Sequence, residues 1–594
     1  MAARRISLLA LLCACTGSIA EGGGDGPAPV IIDREGVTPE GTLPPVEPEM
    51  VREAECDDRD RELTLMPLRR LSNPEMRASL AGLFPAEVIA EMDVWLGGLP
   101  SEATLHGPQE FEPTIGESGA DATLELTTRL AATVAGNDGH LRAIGAGCAL
   151  ESADRECAEG FIGEFGARVF RRPLTGDELA DFTEDFLSDD GIEDDRERME
   201  VVISALLLSP EFLHHVPRRG DGARVALDPL TLAARLSYAV TGGAPDDALI
   251  AAAQAGELDD VETRRTHARR LAESDAGRIF VRSLFVRWLG LHGQYSPQPA
   301  ADLAGMDTDG LVDEVTTEAL DFIEHVVYSG GNFEELMTST LAFPKTDRLA
   351  TIFGTERSDD AVSASDRRAG LLTRPALLVY KNDRPSPIRR GLYIWERFFC
   401  HVFTLPEGLD ADEEANANLE ASGLVREEST SRELTEAATG ARQCAGCHDQ
   451  INPPGFSLAH FGPLGEEWNE HEVVYAPEGG GEVLNELPLE GDGNVAGMVV
   501  DDVAQTIDGA RDMAQIIAGS SDGLACAATQ MFRATHLREA TSLDACHLQT
   551  LINAFDAGEP ILDILVRNAA EETPYVMGPQ AETDFYAELA GDDR

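Results

Sequence analysis

Residues 444–465 read CAGCHDQINPPGFSLAHFGPLG, and the first five decide how the C-terminal third of the chain is to be read. Cys444, Cys447 and His448 form the C-x-x-C-H arrangement that attaches a c-type haem. Two thiols three positions apart on a helical turn can each add to one vinyl group of a porphyrin. The histidine that follows is then held under the iron, which makes His448 the candidate proximal ligand. Leu434, Ala437, Ala438 and Ala441 recur at helical spacing just before, so a short amphipathic helix is expected to end near Gly440, with the motif at its C-terminus. The same residues can also be read as a redox disulfide or as half of a zinc site. A zinc site wants a second ligand pair, yet Cys526 and Cys546 stand far apart and neither belongs to another C-x-x-C. A thioredoxin-like site wants a strand before the motif, where a helix is expected.

The sixth iron position has several candidates downstream. Met498 is the expected ligand, a thioether that would raise the potential. Met513 reads as a packed core residue, and His460 or His471 would instead give a bis-histidine site.

Outward from the motif, the chain reads as helices joined by loops. Leu63 to Phe84 suits one or two short helices broken near Pro74, and Cys157 to Phe170 is amphipathic. Thr175 with Glu178 is a capping-box signature. Val201 to Leu213 is apolar around most of its circumference and reads as a buried helix. Further helices are expected over 312–328, 392–403, 503–517 and 543–555, with hairpin strands within 473–493. The aromatics Tyr393, Trp395, Phe398 and Phe399 read as core rather than as a cofactor box. The fold class is therefore mainly α-helical and multi-domain, with a cytochrome-c-like helical module near the C-terminus. Its expected divisions are a signal peptide (1–15), an acidic Gly/Pro tether (16–60) and helical domains over 61–135, 136–220 and 221–360. The C-x-x-C-H module (361–500) and a closing helical domain (501–594) follow.

Arg4 and Arg5 precede an apolar run from Ile6 to Leu12, and the stretch ending at Cys15 reads as a lipoprotein signal with Cys15 as the lipidated residue. The expectation is an exported protein of the cell envelope, periplasmic or at the outer-membrane surface, touching the membrane through lipid alone. No other run approaches the roughly 18 to 20 apolar residues of a spanning helix. The 594 residues carry 106 acidic and 47 basic side chains, a formal charge of −59. Phosphate neutralisation needs a basic face, so nucleic acid is not an expected partner. In an oxidising compartment the cysteines outside signal and motif should be bonded. Cys148 with Cys157 and Cys526 with Cys546 are the local pairings expected.

Several further stretches stand in a recognisable order. LRRLS at 68–72, RVFRRPLTGDE at 168–178, LSPEFL at 208–213, and RLSY at 235–238 with APDDAL at 244–249 are followed by RRAGLLT at 367–373, SPIRRG at 386–391 and the 444–465 stretch. Together they resemble the large exported cytochrome-like proteins first grouped from planctomycetes, built of serial domains of unknown function with a C-terminal C-x-x-C-H module. The resemblance covers most of the chain from about residue 60. The usual pattern has aspartate, glutamate and aspartate where this chain has Asn452, Ala459 and Gly462.

Two function classes follow. One is a lipid-anchored c-type cytochrome-like protein with a single covalent haem, exchanging electrons with a redox partner protein or serving an oxidoreductase reaction. The other is a non-redox envelope lipoprotein, a structural or binding module in which Cys444 and Cys447 form a disulfide. No nucleophile–base pair, phosphate-binding glycine loop or calcium loop stands out in the sequence.

Overall fold

The computed structural model describes residues 51, 56, 68–100, 116–151, 154–187, 194–216, 224–291, 303–379, 384–404, 411–476, 481–489, 495–571 and 575–577. The signal, Cys15 and most of the tether lie outside the described residues. The protein is mainly α-helical, with five two-stranded antiparallel sheets among the described residues.

Local sequence rules set most helix ends. Ser72 accepts the Glu75 N–H at 3.3 Å while the Glu75 carboxylate accepts the Ser72 N–H at 2.8 Å, so Pro74 opens the helix Asn73–Leu83 instead of breaking one. The Thr175–Glu178 box forms in the same way, at 2.8 and 3.2 Å. The apolar stretch after 201 divides into Asp195–Leu208 and Pro210–Leu213, because Pro210 cannot donate and Ser209 caps a new turn.

Two expected helices are corrected. Val503–Ile507 is a strand, paired with Val495–Val500 through a turn at Asp501 and Asp502 with φ 50 and 59°, and the helix begins only at Gly509. The two-residue alternation of that segment outweighs its helical reading. The aromatic helix spans Pro387–Phe398 and ends where Cys400 takes a left-handed φ of 55°.

Apolar side chains gather in two large interiors. One draws on residues 71–213 plus Tyr238, the other on residues 232–570. Tyr238 belongs to the helix Pro229–Thr241, yet its ring lies in the first interior, where its hydroxyl shares a hydrogen bond with Ser79 at 2.7 Å. Among the described residues three disulfides form: Cys148–Cys157, Cys400–Cys526 and Cys56–Cys546. The local pairing of Cys526 with Cys546 is therefore not made. Cys526 is buried against the end of the Pro387–Phe398 helix, whereas Cys546 opens the helix Ala545–Asp556 and meets the N-terminal segment. Among the described residues no helix is long and apolar enough to cross a membrane.

Candidate functional site

Cys444, Cys447 and His448 lie in the first turns of the helix Arg442–Phe456, not at a helix C-terminus. The preceding helix, Ser431–Thr439, stops at Gly440. The chain turns there and restarts, with the Cys444 N–H donating to the Ala441 carbonyl at 2.9 Å. Cys444 and Cys447 are half-buried free thiols, while the other six described cysteines are paired. The space at Gly446 is open: a Cβ there would meet nothing within 4 Å.

His448 is oriented by a chain of side-chain hydrogen bonds. Its Nδ1 lies 3.0 Å from Asn452 Oδ1, Asn452 Nδ2 donates to Thr439 Oγ1 at 2.9 Å, and Thr439 donates to the Thr435 carbonyl at 2.7 Å. The Thr439 proton is committed to that carbonyl, so its oxygen must accept from the Asn452 amide. Asn452 therefore turns its own oxygen toward His448, and Nδ1 carries the proton. The Nε2 lone pair is left to act as a ligand, the arrangement a metal-binding histidine needs. Replacing Asn452 by alanine is expected to cost about 1–2 kcal/mol, since Thr439 and His448 each lose a partner. It should also mix the imidazole tautomers, read by side-chain nitrogen NMR.

A backbone-close crossing holds the motif helix against Pro387–Phe398. A Cβ on Gly391 would fall into the Ile451 carbonyl, and one on Gly455 into the Pro387 carbonyl. Pro453 and Pro454 lie inside the motif helix and free the carbonyls of Asp449 and Gln450. Trp395 Nε1 donates to the Gln450 carbonyl at 2.8 Å, and Gly497, at φ 125°, lies against that of Asp449. The Gln450 side chain donates to the Gly497 carbonyl and accepts from the Val499 N–H, both at 3.0 Å, which aligns the strand Val495–Val500 with the motif helix.

The loop after the helix is gripped from inside. Arg390, buried, donates to the carbonyls of Leu458, Phe461 and Gly462 at 3.0, 2.7 and 2.8 Å, and burial brings its guanidinium down to about 9. Gly462 leaves room for the Glu466 carboxylate, which a Cβ there would strike. Burial pushes Glu466 up to about 7. The RRAGLLTRP stretch is interior as well. Arg368 stacks over Phe353 and Phe461 at 4.7 and 4.9 Å, and Arg374 lies over Phe322 at 4.3 Å and pairs with Glu318 at 2.7 Å.

The remaining sequence candidates are dispersed. Met498 is fully buried in the main interior as a packed core residue, so ligation would require its strand to release it. His460 is buried with Nδ1 2.8 Å from the Trp468 carbonyl, and His471 is exposed at the start of a hairpin strand. Among the described residues no cluster of three or more His, Cys, Asp or Glu could hold a metal ion. The donor set suits a covalently attached haem: two unpaired thiols and an imidazole whose Nδ1 is engaged stand on one helix. Sequence alone flagged Asn452 as a departure but missed its role, and it gave no signal for Thr439 or for the Trp395 anchor.

Three protein families of unknown function match in series. PSD5 (DUF1595) matches residues 157–216, PSD4 (DUF1592) residues 227–355, and PSCyt3 (DUF1588) residues 368–472, which include the C-x-x-C-H helix. No curated protein and no solved structure matches the chain. Residues 157–472 thus carry three successive matches to domain families of unknown function, with the thiol-bearing helix inside the PSCyt3 match.

Proposed function

We propose that this chain is an exported, lipid-anchored c-type cytochrome-like protein that carries one haem c through Cys444 and Cys447, with His448 as axial ligand. The observation that carries the reading is the donor set: two thiols left free in a chain whose other described cysteines are paired, next to a histidine whose Nδ1 is engaged. The bound group would supply one-electron chemistry, exchanged with a redox partner protein. The chain's own part is positional. Asn452 and Thr439 set the tautomer and tilt of His448, while the Gly391–Gly455 crossing and the Trp395 anchor fix the helix that bears the thiols.

The second reading, a structural envelope lipoprotein, draws support from the three disulfides among the described residues, one of which joins residues 490 positions apart, but the Cys444–Cys447 disulfide it expects is not formed. One experiment separates the two. The full chain is produced in cells with haem-attachment machinery, and intact mass and reduced-minus-oxidised absorption are recorded. Covalent haem is expected in the parent and is lost in Cys447→Ser, which stays folded by circular dichroism. A colourless parent of unmodified polypeptide mass refutes the cytochrome reading.

A further inference from the structure

Gly462 and Glu466 close a turn in the loop that follows the motif helix. The Gly462 N–H donates to the Glu466 carbonyl at 2.8 Å, and the Gly465 N–H donates to the Gly462 carbonyl at 3.1 Å. The Glu466 side chain folds back over Gly462, into space that a Cβ there would fill. One carboxyl oxygen, Oε2, accepts the Leu464 N–H at 2.8 Å. The other, Oε1, is sealed from solvent and has no hydrogen-bond partner among the described residues. A carboxylate needs both oxygens hydrated or bonded, so a sealed oxygen without a donor suits the protonated acid and opposes the ion.

The charged groups around this seat do not complete it. Arg390, on the helix Pro387–Phe398, and Arg368 are the cations that act on Glu466. The Arg390 hydrogen bonds go to the Leu458, Phe461 and Gly462 carbonyls, and those of Arg368 to the Thr373 and Ile352 carbonyls, none to the carboxyl group. On the strand His471–Tyr475, Tyr475 stays neutral, burial and the Glu466 charge pushing it up to about 12. Within the turn, Glu467 is turned to Ser365 and Arg367, and His460 Nδ1 engages the Trp468 carbonyl at 2.8 Å. Burial outweighs both arginines and leaves Glu466 at about 7. The residue as a whole is only half-buried, so water lies a short side-chain rotation away.

We propose that the 462–466 turn is a proton-operated latch. With Glu466 protonated, its carboxyl group stays seated and the turn clasps the loop that Arg390 holds; ionisation swings the carboxylate out to water and loosens residues 458–468. By linkage, the seated acid keeps its proton to higher pH than the released one. Opening therefore grows as pH rises from the ordinary carboxyl range to about 7, and levels off above it. The loop continues directly from the motif helix, whose Gly455 lies against Pro387, so the latch sets how firmly that end of the helix is held. It works with or without haem.

Hydrogen exchange of the full chain, read by mass spectrometry on peptides spanning 458–468 and corrected for intrinsic exchange, tests the latch. Protection is expected to fall on the order of a hundredfold between about pH 5 and 7 in the parent, then to level off. It should change far less in Glu466→Gln, which is neutral and of the same shape. Infrared difference spectra, parent minus variant, should carry a protonated-carboxyl band at about pH 6 that is gone by about pH 8. Gly462→Ala evicts the carboxyl group, should remove the same pH dependence, and carries the test if the glutamine variant fails to fold. A flat profile in the parent, an equal slope in the folded variants, or no protonated-carboxyl band in the acidic spectrum overturns the inference.

Discussion

Replacing Glu318 by leucine is expected to destabilise the C-terminal body by about 3–5 kcal/mol, because it leaves the Arg374 guanidinium buried without its counter-charge. Both side chains are fully buried, 2.7 Å apart, and burial pushes Glu318 up and Arg374 down, each away from its charged form. The pair is thus held against its own desolvation. Arg374 keeps a hydrogen bond to the Gly370 carbonyl at 2.9 Å and its place over Phe322, which cannot offset the missing carboxylate. The double variant Glu318→Leu with Arg374→Met should recover most of the loss, since two apolar side chains of similar size carry no desolvation cost. Urea unfolding followed by tryptophan fluorescence reads both, Trp288 being fully buried in the same interior. A single variant as stable as the parent would show that water reaches this pair.

Gly455→Ala should be comparably damaging, at about 3 kcal/mol or more, for a steric reason. The added methyl would enter the Pro387 carbonyl, which is backbone and cannot rotate aside. The two helices would have to separate. That parting would also strain the Trp395 hydrogen bond to Gln450 and the Arg390 grip on the 458–462 loop. The expected signs are a lowered urea midpoint and faster hydrogen exchange at the motif helix. Gly446→Ala provides the contrast, because its Cβ enters open space, and it should be close to neutral.

The legibility of this protein in its sequence follows the range of the interactions concerned. The capping pair Thr175–Glu178 acts across three residues and forms where the sequence places it, and Ser72–Glu75 makes the same local cap at a helix start the sequence reading did not mark. Pro74 is instructive: its effect on a helix depends on whether it falls in the first turn, and the neighbouring cap decides that. The helical reading of 503–517 failed over its first five residues because a five-residue apolar alternation suits either period, and only the partner strand Val495–Val500 settles it. Pairing Cys526 with Cys546 by proximity failed for a related reason. Both sit on helices, and the faces on which they lie meet Cys400 and Cys56 instead.

The candidate site divides in the same manner. C-x-x-C-H was readable because covalent attachment needs fixed residue types at fixed spacing. The hydrogen bond from His448 to Asn452 spans a single helical turn, so it was within reach of the sequence, but only the contact with Thr439 shows which way the amide faces. Arg368, Arg374 and Arg390 look like surface residues in the sequence and are buried.

By itself the sequence determined the helical character of the chain, most helix starts, the thiol–thiol–imidazole spacing and the acidic surplus, because these depend on residues within a turn or two of one another or on composition alone. The tertiary structure decided which charges lie inside, which glycines must lack a side chain and which cysteines meet. Each of these depends on two segments, tens to hundreds of residues apart, excluding water from between them, and nothing in local spacing encodes which segments those will be.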